Sequence, residues 1–284
     1  MVNGDMHNSK YLMTFFLVFF SVSTSAWTIH ADFDSGELGA KADKLSDGFS
    51  GAGGGSLYSN ETAIKGNSAK LHIEEGKTGY GTWGGEFIFP EKAYRGDSLW
   101  YQVHVYFPEG FDHYSYGEGN RLKFLRIQTL SSDNKNHGYL DLYIDKKGST
   151  TPFKWIYEGA AKWSNVGNSS DMIIKDRWES YQMQVTLDTV PVSEGGEAEV
   201  RLWKNGELLR HITNRATLKT ATDYVNRALL FTYWNGGAPK TQSMFADEIT
   251  ITNNSPDNFD ALGNPRLPSL VGNPPSRINV LVVD

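Results

Sequence analysis

The 284-residue chain contains no cysteine. That excludes disulfide bracing, a thiolate nucleophile, a cysteine-ligated metal and a lipid-bearing N-terminal cysteine. The fold must therefore stand on its own apolar core, which a chain of this length can build as one large domain. Basic residues are not in excess: net charge is −6, with no long run of either sign. A nucleic-acid binder would show a basic face, so that class is disfavoured, although a locally basic groove for an acidic polymer is not. Helical periodicity is nearly missing. After the N-terminal segment no apolar run approaches the roughly 20 residues of a membrane span. No Gly-x-Ser-x-Gly elbow occurs for a serine triad, and no internal repeat is visible.

The N-terminus has a lone positive charge at Lys10, an apolar run from Tyr11 to Val22, and the small residues Thr24-Ser25-Ala26. That order is a secretory signal, cut after Ala26. The expected location is secreted or periplasmic, by a bacterial route, with no membrane attachment after cleavage.

From there the chain reads as strands. Turn residues recur about every ten positions, and apolar residues alternate with period two. Tyr101, Val103, Val105 and Phe107 oppose Trp100, Gln102, His104 and Tyr106. Leu140, Leu142 and Ile144 oppose Tyr139, Asp141 and Tyr143. Tyr181, Met183, Val185 and Leu187 oppose Gln182, Gln184 and Thr186. Val200 and Leu202 oppose Glu199, Arg201 and Trp203, ahead of an Asn205-Gly206 hairpin turn. Late strands are predicted over Ala228 to Trp234 and Met244 to Thr252. One apolar face per strand, with no crossover helices, predicts an all-β, two-sheet antiparallel sandwich. The second faces carry His, Tyr, Gln, Arg and Trp where a solvated face would carry Lys, Glu, Thr and Ser. They predict a ligand-facing sheet. The domain reading is a signal over 1–26, a sandwich over 27–253, and a Pro- and Asn-rich tail or linker over 254–284.

Several segments resemble the concanavalin A-like jelly-roll polysaccharide lyases, the group that includes alginate, glucuronan and heparin lyases. They are Asp32-Phe33-Asp34-Ser35-Gly36, Gly66 to Leu71, Leu99-Trp100-Tyr101 through Phe107-Pro108-Glu109-Gly110-Phe111-Asp112, Gly119 to Leu125, Phe231 to Gly237 and Phe245 to Ile249. Together they span Ala31 to Asn253. Two departures stand out. Lys240-Thr241-Gln242 occupies the place of a Tyr-x-Gln in some alginate lyases of this fold. Arg121 falls where a Gly-Gly-Lys-Leu-Pro-Gly-Leu stretch has its lysine.

The resemblance implies β-elimination on a uronate-containing, anionic polysaccharide. The C5 proton leaves, so the adjacent carboxylate must be neutralised; a base takes the proton and an acid helps the C4 oxygen depart. No cofactor is required. The densest set of suitable side chains gives Arg126, Gln128, His137, Tyr139 and Tyr143 as catalytic candidates. Arg126 and Gln128 are read as a carboxylate clamp, with a surface salt bridge beside a solvated Gln as the other reading. On the clamp reading, Arg126→Ala abolishes activity and leaves thermal stability nearly unchanged. Arg121, Lys123, His104, Arg201, Tyr233, Trp234, Asn235 and Lys240 are substrate-binding candidates, with Trp234 either a sugar platform or a core residue. Sandwiches of this class often carry a structural Ca²⁺, for which Asp32, Asp34 and Asp247 are the candidate ligands. A monomer is expected. Two other functions remain open. One is a non-catalytic carbohydrate-binding sandwich. The other is a sandwich glycoside hydrolase, which needs two facing carboxylates and lacks the expected strand pattern.

Overall fold

The computed structural model describes residues 25–44, 47–114 and 121–271. Residues 1–24 of the expected signal lie outside the described residues.

Fifteen strands are described, in chain order: β1 (Thr28–Ala31), β2 (Gly51–Ala52), β3 (Ser56–Ser59), β4 (Ser68–Ile73), β5 (Gly85–Ala93), β6 (Ser98–Tyr106), β7 (Leu122–Leu130), β8 (Asn136–Ile144), β9 (Phe153–Tyr157), β10 (Ser164–Val166), β11 (Trp178–Thr186), β12 (Ala198–Lys204), β13 (Glu207–Arg215), β14 (Tyr224–Leu230) and β15 (Gln242–Thr252). The only helical element among the described residues is a short 3₁₀ turn at Val192–Glu194. Eight strands form one antiparallel sheet in the order β13-β12-β11-β6-β15-β4-β3, with β1 also paired to β15. Seven form the other, in the order β10-β9-β8-β7-β14-β5-β2. The period-two pattern thus yields the sandwich it predicts. Tyr101, Val103 and Val105 of β6 and Met183 and Val185 of β11 meet Leu140, Leu142, Phe124 and Ile127 of the facing sheet in one continuous apolar core. Burial of such area is what holds a cysteine-free domain together.

Two departures from regular pairing shape the seven-stranded sheet. The first is a bulge in β7, where the register against β8 shifts between Lys123 and Leu125. Phe124 and Leu125 both enter the core, and the strand is re-phased. Lys123 and Arg126, an odd number of positions apart, therefore emerge on the same face. The second is at the end of β14. The predicted strand Ala228 to Trp234 stops at Leu230, because Phe231 takes a left-handed backbone (φ 52), a conformation disfavoured for a bulky residue. Pairing to β7 resumes beyond the kink, with Thr232 N–H on the Lys123 carbonyl and Lys123 N–H on the Tyr233 carbonyl, both at 3.1 Å. That pairing sets Tyr233 beside Lys123.

The outer face of the eight-stranded sheet is covered by the chain itself. Residues 258–270 cross β6, β11 and β12 as a strap held mainly by side chain to backbone hydrogen bonds. The Trp100 indole donates to the Pro265 carbonyl (3.1 Å) and the Gln102 amide to that of Pro268 (2.8 Å). Gln182 accepts from Leu267 N–H (2.9 Å), and His104 Nε2 from Leu270 N–H (3.2 Å). The Trp203 indole donates to Asp260 (2.9 Å).

Candidate active site on the seven-stranded sheet

Among the described residues, the centre of the outer face of the seven-stranded sheet is partly accessible, at Tyr139, Tyr233 and Glu158, and it collects the densest set of ionisable side chains. Lys123 Nζ donates to the Tyr233 hydroxyl (2.8 Å) and approaches Glu158 (3.4 Å). Its ammonium also lies 4.5 Å from the centre of the Tyr233 ring. Tyr143 donates to the same Glu158 oxygen (3.3 Å). Gln128 Nε2 donates to the Tyr139 hydroxyl (3.2 Å). Lys123, Gln128, Tyr139, Tyr143 and Tyr233 thus surround one patch, with half-buried Glu158 at its edge.

Arg126 lies beneath this patch, only 3% exposed. Its Nε and Nη2 grip the two oxygens of Asp141 at 2.6 and 3.0 Å, and Nη2 also reaches Glu158 at 3.1 Å. The Tyr139 ring covers the guanidinium at 3.7 Å. Burial works against the arginine charge, but Asp141 and Glu158 more than restore it, and the group stays protonated. Burial pushes the Asp141 carboxyl up to about 6 against the pull of Arg126, so it is ionised at neutral pH. Arg126 is therefore a fully engaged ion-pair partner. The expectation that its removal leaves stability untouched does not fit this geometry, because a lone buried Asp141 would remain. Burial also raises the Tyr139 and Tyr143 hydroxyls, which keeps both protonated at neutral pH.

At one end of the face, Arg121 Nε binds Asp145 (2.5 Å) and lies over the Trp163 ring at 5.0 Å. Trp163, which is exposed, packs edge-on against Tyr143. At the other end His137 Nδ1 meets the buried Asp223 at 3.0 Å. The backbone N–H groups of Lys219 and Thr220 also bind Asp223, so its acceptor position is fixed. On the β5 flank Arg227 pairs with Glu86 at 3.0 Å, and Tyr80 lies against Glu86.

Of the candidates read from sequence, this face gathers Arg121, Lys123, Arg126, Gln128, His137, Tyr139, Tyr143 and Tyr233. The others lie elsewhere. His104 is under the strap on the opposite sheet, pushed down to about 4 by burial. Arg201 is on that sheet too, bound to Gln184 (3.1 Å) and Glu199 (2.8 Å). Trp234 is 0% exposed; its indole donates to the His113 carbonyl, and its ring packs against Trp83 and Phe111 in the core. Asn235 is exposed in the turn that follows, and Lys240 lines a separate cavity at the end of the sandwich.

The three acids considered for Ca²⁺ do not converge. Asp34 accepts from Asn67 N–H and Asp32 is linked to Asp47. Asp247 accepts from Ile64 and Glu248 N–H groups on its two oxygens (both 2.8 Å). Asp247 has both oxygens taken by N–H donors, and among the described residues no group of three ligating side chains is gathered, so these three acids do not form one site.

Glu158 and Asp223 were not singled out from sequence. Glu158 follows β9, a strand whose alternation of Lys154 and Ile156 against Phe153, Trp155 and Tyr157 was available but short. Asp223 lies in a turn 86 residues from His137, and only the tertiary fold joins them.

No family model and no curated protein sequence match this chain. Solved structures do. The PL-14 alginate lyase from Aplysia kurodai superimposes with a TM-score of 0.55 at 13% identity, over 81% of this chain and 99% of that one. Alginate lyase Aly36B gives 0.55 at 14% identity, over 79% and 96%. The endo-β-1,4-glucuronan lyase from the fungus Trichoderma reesei gives 0.51 at 12% identity, over 78% and 94%. The chain has the jelly-roll fold of these lyases.

Proposed function

We propose that this protein is an exported polysaccharide lyase that cleaves a uronate-containing polymer by β-elimination on the open face of its seven-stranded sheet. The observation that carries the reading is the Lys123–Tyr233 pair, a cation donating to a phenolic oxygen on an accessible face ringed by further protonated tyrosines. Elimination needs these parts. An ammonium has three donors. Lys123 places one on Tyr233 and directs one toward Glu158, and the third serves the substrate carboxylate as charge moves onto it from C5. Tyr233, after losing its hydroxyl proton to solvent and with the resulting oxyanion held by the Lys123 charge at hydrogen-bond distance, takes the C5 proton while the C5–H electron pair forms the C4–C5 double bond and the C4–O bond breaks. Tyr139, kept protonated by burial and fixed by Gln128, supplies a proton to the departing C4 oxygen. Arg126, Asp141 and Glu158 hold this set in place from below. His137, oriented by Asp223, lies two residues from Tyr139 along β8 and extends the face toward a neighbouring sugar.

The lyase folds of the three neighbours support this class of reaction, and the signal-like N-terminus supports action outside the cytoplasm. Hydrolysis by a carboxylate pair is disfavoured. Asp141 is completely buried on Arg126, which among the described residues leaves Glu158 without a facing partner at this centre.

The deciding experiment follows absorbance near 235 nm, where the unsaturated sugar product absorbs, during incubation with alginate, glucuronan, pectin and glycosaminoglycans. A rise on one polymer, abolished by Tyr233→Phe, is the expected result. A flat trace with retention on an affinity gel would replace catalysis by carbohydrate binding.

A further inference from the structure

Beside the open face lies a cavity of about 360 Å³, within the roughly 300–1,000 Å³ range of small-ligand pockets. It opens between the 110–114 segment, the end of β8 and the segment before β11. Its wall includes Ile144 and Pro152, and Pro152 accepts the N–H of Asp145, the partner of Arg121. The cavity therefore adjoins the Arg121–Trp163 end of the face.

Its charges differ from those of the face. Arg121, Lys123, Arg126 and Arg227 each have a carboxylate partner. Two lysines line the cavity, Lys175 and Lys240. Among the described residues neither is paired with a carboxylate: Lys175 donates only to the Glu109 carbonyl (2.9 Å), and Lys240 has no hydrogen bond. The one acid in the wall, Asp112, accepts from Tyr114 N–H at 2.9 Å. His113 also lines the cavity, 5% exposed, and among the described residues its Nε2 has no hydrogen-bond partner. A buried polar atom without a partner carries a penalty that a ligand can remove. Burial, with Lys175 nearby, pushes His113 down to about 3. At neutral pH the ring is uncharged and Nε2 can carry a proton to donate. Phe111, Tyr114 and Ile173 supply apolar surface for the C–H face of a sugar. A larger cavity of about 790 Å³ over β3 and β4 differs in kind, because its lysines are already engaged, Lys70 by Glu61 and Lys77 by Glu74.

We infer that this cavity is a second carboxylate-binding site, which takes one uronate unit with its carboxylate between Lys175, Lys240 and His113. The inference rests on the reading of the adjoining face as the seat of a uronate polymer. It makes the cavity the anchor for a unit beyond the cleaved bond.

The test uses D-glucuronate as the probe and D-glucose as its neutral counterpart, with binding followed by ligand-observed NMR saturation transfer. Four proteins are compared: the unaltered protein, Lys240→Gln, the Lys175→Gln/Lys240→Gln double variant, and Lys123→Ala. Among the described residues Lys240 makes no hydrogen bond, so its single replacement is expected to leave the fold intact. Binding of glucuronate and not glucose is expected. Losing the lysine contacts weakens it about tenfold or more, while Lys123→Ala retains it. Glucuronate binding that survives the double variant, that matches glucose, or that is absent from the unaltered protein overturns the inference. The assay at 235 nm separates the two readings. Elimination with no glucuronate effect at the lysines removes the cavity site alone. Lysine-dependent binding without elimination on any polymer removes the lyase reading alone.

Discussion

The two sheets present outer faces that are both polar and aromatic, with opposite fates. β6, β11 and β12 carry Trp100, Gln102, His104, Gln182, Gln184 and Trp203. β7 and β8 carry Lys123, Arg126, Gln128, Tyr139 and Tyr143. On the first face Trp100, Gln102, His104 and Gln182 are spent on backbone carbonyls and N–H groups of residues 258–270, Trp203 on the Asp260 carboxylate, and Gln184 on Thr186 and Arg201. On the second they bind one another and reach the surface at Tyr139, Tyr233 and Glu158. A polar–aromatic face thus marks a demand for hydrogen bonds, and what meets that demand is decided by the rest of the chain.

Mutations should keep the faces apart. The largest effect is expected at the open one. Tyr233→Phe and Lys123→Ala should each lower the 235 nm rate by about 10²–10⁴-fold. For Tyr233→Phe the urea midpoint should stay unchanged. Arg126→Ala should act on both scales. Breaking a buried ion pair costs about 3–5 kcal/mol, so urea unfolding should show a loss of that order together with inactivity. Pairing Arg126→Met with Asp141→Leu should recover most of the stability and none of the activity.

The covered face should respond to acid. His104 is pushed down to about 4 from its ordinary 6.5, so the fold prefers the neutral ring. Its contribution is present above pH 6.5 and lost progressively as pH falls from 6.5 to about 4, a fall of roughly 3 kcal/mol. His113 adds a loss of the same sign. Urea unfolding at pH 7 and pH 4.5 should show the drop, and His104→Gln should make it shallower. The smallest effect is expected from Gln102→Ala, which removes one hydrogen bond to the strap and should cost about 1 kcal/mol with no change in rate.

Much of this fold was legible before any coordinates. Alternation in Leu99 to Phe107 and in Gly138 to Asp145 identified both the sandwich and the two special faces. It did not say which face would be covered, because nothing local to His104 or Arg201 records the approach of residues 258–270. Part of the site was legible as a cluster of residue types between Arg121 and Tyr143. Its geometry was not. Strict alternation separates Lys123 from Arg126, and only the bulge at Phe124 and Leu125 reunites them. The kink at Phe231 likewise splits Tyr233, on the open face, from Trp234 in the core.

The strap has a consequence for biosynthesis. It is drawn from residues that come after all fifteen described strands, and the first of those strands pairs with the last, Thr28 opposite Thr252. As the chain leaves the ribosome, β6, β11 and β12 are complete while the backbone groups that will cap Trp100, Gln102, His104 and Gln182 do not yet exist. The nascent sandwich therefore waits with one wet flank until residues 258–270 have followed the last strand.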